Sequence, residues 1–311
     1  MIKRIKHFSI FTVLLLVTTF CSAPGPKQAN TQVLNFAIST REEDPTEAGL
    51  RMGYMKEYLE NELGIKVNIL LTNGYATIIE ALKSNKVDIA NMGCFSYIIA
   101  ADKAEVEAIA MRGTLDGNIE PYSCEIITAS NSKLRSMDDV KRLAKQLTFS
   151  FGDPASTSGH LIPRAYLESI GLYKESFKEV FFSEGHSATL LTVKSGKTDV
   201  GCVSDEIVTR SYKKGLLHPS EIRVLWKSPP ILNGAICVKK SINTELKKKI
   251  QKALIDFRIK EPVAWHNYAS YYGTTSSFPI DSLRYIEASD SLYNGLRKIA
   301  KHFNIYEFAE K

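Results

Sequence analysis

The sequence predicts an α/β protein of two similar lobes, each a mainly parallel sheet flanked by helices, joined by two chain crossings. Three observations predict it: a helix-then-strand unit that occurs twice, a strand followed by Asp-Pro ahead of each copy, and two extended segments lacking helical period. The chain has 311 residues, 44% apolar and 24% charged. That is ordinary globular composition and length enough for two domain-sized units, which excludes a disordered or fibrous chain.

The first residues, "MIKRIKHFSIFTVLLLVTTFCSAPGP", set Lys3, Arg4 and Lys6 before an apolar run from Phe8 to Phe20. The run is shorter than the ~20 residues that span a bilayer as a helix, so 1–20 read as an export signal. Cys21 stands where bacterial lipoproteins carry their acylated cysteine, and 21–31 read as a tether. Phe20 departs from the small residue usual at that place, and a plain secreted chain is the alternative. The expected location is therefore outside the cytoplasm, periplasmic or cell-surface. The formal charge of +6 falls to +3 without the three basic residues of the signal. Its Lys and Arg residues are scattered, Lys247 to Lys249 reading as a solvated helix face, so nucleic acid is not an expected partner.

Lobe one is expected to begin with "VLNFAIS", a strand followed by Asp44-Pro45 and a helical pattern. Residues 73–92, "NGYATIIEALKSNKVDIANM", then align without gaps on 184–203, "EGHSATLLTVKSGKTDVGCV". Gly74 meets Gly185, Lys83-Ser84 meets Lys194-Ser195, and Asp88 meets Asp199. In the first copy Ile78, Ile79 and Leu82 recur at helical spacing, Ser84-Asn85 ends the helix, and "VDIANM" reads as a buried strand. The second copy repeats this with Leu190, Leu191 and Val193, a stop at Gly196, and "TDVGCV". Helix and short apolar strand in repetition argue for parallel α/β sheets, as two lobes or as two units of one sheet.

"SCEIITAS" (123–130) is extended and reads as the first crossing. "QLTFSFG" before Asp153-Pro154 opens the second lobe's matched piece. "VLWKSPPILNGAICVKK" (224–240), broken by Pro229-Pro230, reads as the second crossing. The expected organisation is lobe one at 32–125, lobe two at 126–228, and a return to lobe one at 229–311. The last part reads as helical, "NTELKKKIQKALIDF" carrying Leu246, Ile250, Leu254 and Ile255 on one face after an Asn243-Thr244 cap. Cys94, Cys124, Cys202 and Cys237 lack the close pairing of zinc sites and read as buried thiols, with a disulfide still open in an exported chain. No metal and no cofactor is expected.

The richest stretch is "GDPASTSGHLIPRAYLESIGL" (152–172). Pro163 is tolerated near a first helical turn, so the regular helix is expected to start between Gly159 and Ile162, with Ile162, Tyr166 and Ile170 on one face and Gly171 closing it. Ser156, Thr157, Ser158 and Gly159 then sit where backbone N–H groups lack helical partners and the dipole favours an anion. A simple cap needs one hydroxyl; three and a glycine exceed that. No Lys or Arg stands at the entrance itself, so neutral donors would hold the anion, with Gly159 allowing close approach. The strand ends place Gly93 to Tyr97 and Ser204 to Glu206 at the same cleft, with Tyr75 and His186 at matching helix starts. Against this, Tyr75 and Tyr97 could only pack, His186 could cap its own helix, and Asp205 and Glu206 could be solvated.

These stretches, "DPASTSGHLIPRAYLESIGL", "GYATIIEALKSNKVDIANMG" and "SEGHSATLLTVKSGKTDVGCVSDE", resemble the phosphate/phosphite/phosphonate-binding proteins of ABC importers, the PhnD-like family, over roughly 33–275. The resemblance implies a type II periplasmic binding fold and a monomeric solute-binding protein that captures a phosphorus oxyanion by hinge closure and serves an ABC permease. Ser156, Thr157, Ser158 and Gly159 would hold the oxyanion, with Tyr75, Tyr122 and His186 as further contacts. Glu206, beside Asp205, falls where aminophosphonate binders keep a carboxylate for the ammonium. Asn233 stands where those binders usually show another Asp, which leaves phosphonate without an amine, phosphite and phosphate as alternatives. A hydrolase built on Ser158, His160 and His186 lacks a Gly-x-Ser-x-Gly elbow. A sensor or adhesin of the same fold is the other reading.

Overall fold

Each lobe grows from short buried strands alternating with capped helices. The computed structural model describes residues 33–305; the export-signal and Cys21 readings lie outside the described residues. β1 (Val33–Ser39) buries Leu34, Phe36, Ala37 and Ile38. Asp44 then caps α1 (Pro45–Leu63) by accepting the N–H groups of Thr46 and Glu47, and Gly64 closes it at φ 64°. β2 (Lys66–Thr72), α2 (Tyr75–Lys83), β3 (Ile89–Met92), α3 (Cys94–Lys103) and β4 (Val106–Thr114) follow. The stretch 123–130, expected to be the first crossing, is instead almost wholly β5 (Cys124–Ala129), a strand of the second lobe; the crossing lies just ahead of it, and α4 (Met137–Leu143) and β6 (Thr148–Phe151) follow. A π-helical turn, Thr157–Leu161, runs into α5 (Ile162–Ser169). Next are β7 (Glu179–Phe182), α6 (His186–Lys194), β8 (Val200–Ser204), α7 (Asp205–Lys213) and β9 (Ile222–Lys227). The chain returns through β10 (Ala235–Lys239), α8 (Thr244–Lys260), α9 (Pro262–Thr275), β11 (Leu283–Glu287) and α10 (Asn294–His302).

The strands form a six-stranded sheet ordered β11-β4-β10-β3-β1-β2 and a five-stranded sheet ordered β7-β6-β8-β5-β9. β1 pairs parallel with β2 and β3, and β6 with β7 and β8. Besides the antiparallel edge strand β11 beside β4, one reversed strand is threaded into the interior of each sheet: β10 lies antiparallel between β3 and β4, and β5 antiparallel between β8 and β9. Both are the strands that enter a lobe directly from a crossing, so most strands share one direction while many neighbouring pairs are antiparallel. The crossings bond to each other. Tyr122 N–H reaches Ile231 O at 3.1 Å and Ile231 N–H reaches Tyr122 O at 2.7 Å, a two-stranded hinge.

The duplicated unit folds the same way twice. Asn85 (φ 55°) and Gly196 (φ 72°) take the left-handed conformation that ends α2 and α6. Asp88 accepts the N–H of Asn35 and Asp199 that of Thr148, each at 2.8 Å, tying the unit's strand to the strand beside it. Ile78 and Leu82 on α2, and Leu190 and Val193 on α6, are buried against their sheets. Truncating one such side chain to Ala would cost about 2–5 kcal/mol. The C-terminal part corrects the helical expectation at one place, since β11 extends the first sheet by pairing antiparallel with β4. Its short run, "LRYIE", buries only Leu283 and Tyr285 on the inner side. Among the described residues, Cys94, Cys124, Cys202 and Cys237 are unpaired and buried.

Candidate functional site

The helix entrance at 156–159 is built by a division of labour among its hydroxyls. Ser156 is the N-cap: its Oγ accepts the Gly159 N–H at 2.9 Å. The first intrahelical bonds run from Leu161 N–H to Ser156 O and from Ile162 N–H to Thr157 O, a wide turn of the π type. That leaves the N–H groups of Thr157 and Ser158 ahead of the helical ladder. Thr157 Oγ1 accepts the N–H of Phe95 at 2.8 Å, reaching across to the start of α3 in the first lobe. Ser158 Oγ lies 3.2 Å from His186 Nε2.

Gly159 is needed for a different reason from the one the sequence suggests. A Cβ there would sit 2.9 Å from Ser156 Oγ and 3.1 Å from His186 Cε1, so the neighbours that demand glycine are the cap and the histidine. Its carbonyl accepts the Gly152 N–H at 2.8 Å, which binds the turn to the end of β6.

A cavity of about 180 Å³ lies between the lobes. Ser156, Thr157, Ser158, Tyr75, Tyr122, His186, Glu206 and Asn233 line it; Gly159, Asp205 and Tyr97 do not. Tyr97 is fully buried and structural, its hydroxyl donating to Asp290 at 2.6 Å and accepting the Ala108 N–H at 3.0 Å. Asp205 accepts the Ser123 N–H at 2.9 Å and lies 3.0 Å from Lys227 Nζ, bracing the base of the hinge. Tyr75 and His186 open α2 and α6 as the repeat requires. Burial pushes both Tyr75 and Tyr122 well above the ordinary phenol range, so each keeps its O–H and can donate.

Several cleft residues carried no signal in the repeat or the helix entrance. Arg112, on β4, is buried and reaches Glu206 Oε1 at 2.6 Å with one terminal nitrogen. Its Nε lies 2.8 Å from Glu120 Oε2, a close ion contact out of hydrogen-bond alignment, and its guanidinium lies 4.1 Å from the centre of the Tyr272 ring. Burial pushes Glu206 above the usual carboxylate range, and Arg112 opposes that rise. Asn233 Nδ2 lies 3.4 Å from Glu120 O. Glu43 takes Arg51 in a two-pronged pair, both contacts at 2.7 Å. Glu42 accepts the N–H groups of His186 at 2.5 Å and Ser187 at 2.9 Å, capping α6 from the opposite lobe. A charge inside the buried run "AIAMRGT" is the one sequence feature that could have marked Arg112. Tyr271 and Tyr272 arrive on α9 and had no local sign.

The site does not assemble a nucleophile with an oriented base. His186 Nδ1 is buried without a hydrogen-bond partner among the described residues, so nothing fixes the ring as the third member of a triad would. His160 turns away, its Nδ1 2.7 Å from Pro154 O.

Comparison with known proteins adds three findings. The family described as "ABC transporter, phosphonate, periplasmic substrate-binding protein" matches residues 38–293. The phosphonates-binding periplasmic protein of Escherichia coli (strain K12) is 29% identical over 247 residues, covering 79% of this chain and 72% of that one. Two solved structures share the fold. One is a binding protein component of an ABC phosphonate transporter from Pseudomonas aeruginosa, with TM-score 0.76, 23% identity, and 88% and 87% of the two chains covered. The other is PhnD1 of Prochlorococcus marinus (MIT 9301) in complex with methylphosphonate, with TM-score 0.75, 21% identity, and 89% and 100% covered.

Proposed function

Because the chain belongs to the family of periplasmic substrate-binding proteins of phosphonate ABC transporters, we propose that its interlobe cleft captures one small phosphorus oxyanion, a phosphonate, phosphite or phosphate, for import. The observation that carries this reading is the convergence on one cavity of the unladdered N–H groups of Thr157 and Ser158, the Ser158 hydroxyl, Tyr75, Tyr122 and His186. All are neutral or dipolar donors, apart from a histidine that is charged only when protonated. They suit a tetrahedral anion that must be released again.

Energy requires both lobes. Hydrogen bonds to charged groups contribute about 1.5–3 kcal/mol each, association costs an estimated 4–15 kcal/mol, and a micromolar complex needs about 8 kcal/mol net. The second lobe's cradle alone barely breaks even, and Tyr75 supplies the covering contact from the first. The lobes are taken as 32–125 with 229–311, and 126–228, hinging where Tyr122 pairs with Ile231. A monomer acylated at Cys21 would present the loaded cleft to its permease from a membrane surface.

Calorimetric titration of the mature chain with phosphate, phosphite, methylphosphonate and 2-aminoethylphosphonate, with sulfate as control, tests the reading. Saturable binding of at least one phosphorus compound in preference to sulfate is expected. A folded protein that gives no heat with any of them, or that prefers sulfate, overturns it.

A further inference from the structure

Arg112 puts a fixed positive charge into the wall of the same cavity that the cradle lines. It is 7% exposed. Glu206 from the second lobe and Glu120 from the first crossing flank its guanidinium, and the Tyr272 ring lies against it. Every other carboxylate in the lining is also engaged: Glu43 by Arg51, and Glu42 by the N-terminal N–H groups of α6. Asn233 adds an amide beside Glu120 rather than another negative charge.

We propose that Arg112 is a specificity-determining residue whose guanidinium takes the place a ligand ammonium would occupy, so that the cleft accepts phosphonates with a small uncharged substituent and rejects aminoalkylphosphonates. The inference rests on the phosphorus-oxyanion reading of the cleft. An incoming ammonium finds no carboxylate free to receive it, and it meets a like charge that cannot withdraw to solvent. An alkyl group needs no such partner and packs against Tyr272 and the arginine's own methylenes. The guanidinium also serves two carboxylates at once, Glu206 by a hydrogen bond and Glu120 by an ion contact, which a flexible ligand amine does less well. Selectivity here is achieved by a repulsive element already in place.

The test compares ethylphosphonate with 2-aminoethylphosphonate, which match in length and differ in the amine, by calorimetry on the wild-type chain and on Arg112→Gln. In the wild type, ethylphosphonate should bind at least about a hundredfold more tightly, the scale of one like-charge juxtaposition. In Arg112→Gln, Glu206 and Glu120 are released, and that preference should shrink at least tenfold or reverse. Equal wild-type affinities overturn the inference while leaving the oxyanion reading intact. So does a folded Arg112→Gln that loses both ligands equally, since Arg112 would then be holding the oxyanion itself. Should Arg112→Gln not fold, the wild-type pair still decides. If the wild type binds no phosphorus oxyanion of any kind, the parent reading falls and this one with it.

Discussion

His160 stands one residue beyond the cradle yet belongs to the core: its ring centroid lies 5.1 Å from that of Phe151 and 4.9 Å from that of Phe182, both edge-on. Burial lowers its pKa to about 4, with Arg164 adding to the effect and the bond to Pro154 opposing it. An unfolded chain titrates this histidine near 6.5, so between pH 6.5 and 4 the unfolded state binds a proton that the native state refuses. Stability from this group is therefore complete above about pH 6.5 and falls as pH drops, by roughly 3 kcal/mol once below 4. Urea unfolding of wild type and His160→Gln at pH 7 and pH 4.5 should show the smaller pH dependence in the variant; equal dependence would refute the assignment. Ser158→Ala should weaken the best ligand by about 1.5–3 kcal/mol, the worth of a bond to a charged group. Thr157→Ala should also lose affinity, partly for another reason, because its Oγ1 holds the Phe95 N–H of the facing lobe. The sequence put the three hydroxyls at the helix entrance but not their separate partners: Ser156 caps locally through Gly159, while Phe95 and His186, which meet Thr157 and Ser158, lie far along the chain.

At the level of elements, local chemistry was informative wherever a pattern repeats. The offset of 111 residues located α2 with β3 and α6 with β8, because the two copies must end their helices and bury their strands under the same constraints. Strand direction was legible only in part, since β5 and β10 carry apolar runs that look alike whichever way they point. β11 escaped notice because an edge strand of five residues has too few alternations to stand out from the helices around it. Arg112 and the α9 tyrosines escaped because their partners are brought by tertiary packing, not by spacing. The π turn also went unread, although Pro163 placed the start of α5 correctly. That turn makes a sharp prediction. Gly159→Ala would set a methyl against Ser156 Oγ and the His186 ring, and overpacking of this kind costs about 1–3 kcal/mol. Urea unfolding should show that loss and calorimetry a weaker ligand complex; a variant unchanged in both would mean the contact is slack.

For the whole molecule, the repeat has a consequence at the lobe contact. Glu42 and Asp153 are 111 residues apart, the same offset as the duplicated unit, and each carboxylate faces the repeat helix of the opposite lobe. Glu42 caps α6 through the N–H groups of His186 and Ser187. Asp153 is pushed upward by burial and held back by the Ala155 N–H, by Arg41 at 2.9 Å and by the Tyr75 N–H at the start of α2. Arg210 adds a rim contact, bonding the Glu42 carbonyl at 2.8 Å. These bonds exist only while the lobes touch, so they bias the hinge, and at His186 and Tyr75 they hold the backbone N–H while leaving the side chain to the cavity. In Glu42 one oxygen accepts the His186 N–H and the other the Ser187 N–H and hydroxyl, so Glu42→Gln sets an NH₂ against a donor whichever way the amide turns, and it removes the charge at a positive helix end. The lobes of that variant should part more often, so its radius of gyration without ligand should exceed that of the wild type. Its apparent affinity should fall about tenfold if the binding-competent fraction falls by that factor, whereas the saturated complex should return to wild-type dimensions. Scattering with and without saturating ligand, beside one titration, separates the two effects: an unchanged radius with unchanged affinity would mean that the hinge, not this reciprocal pair, sets how the lobes meet.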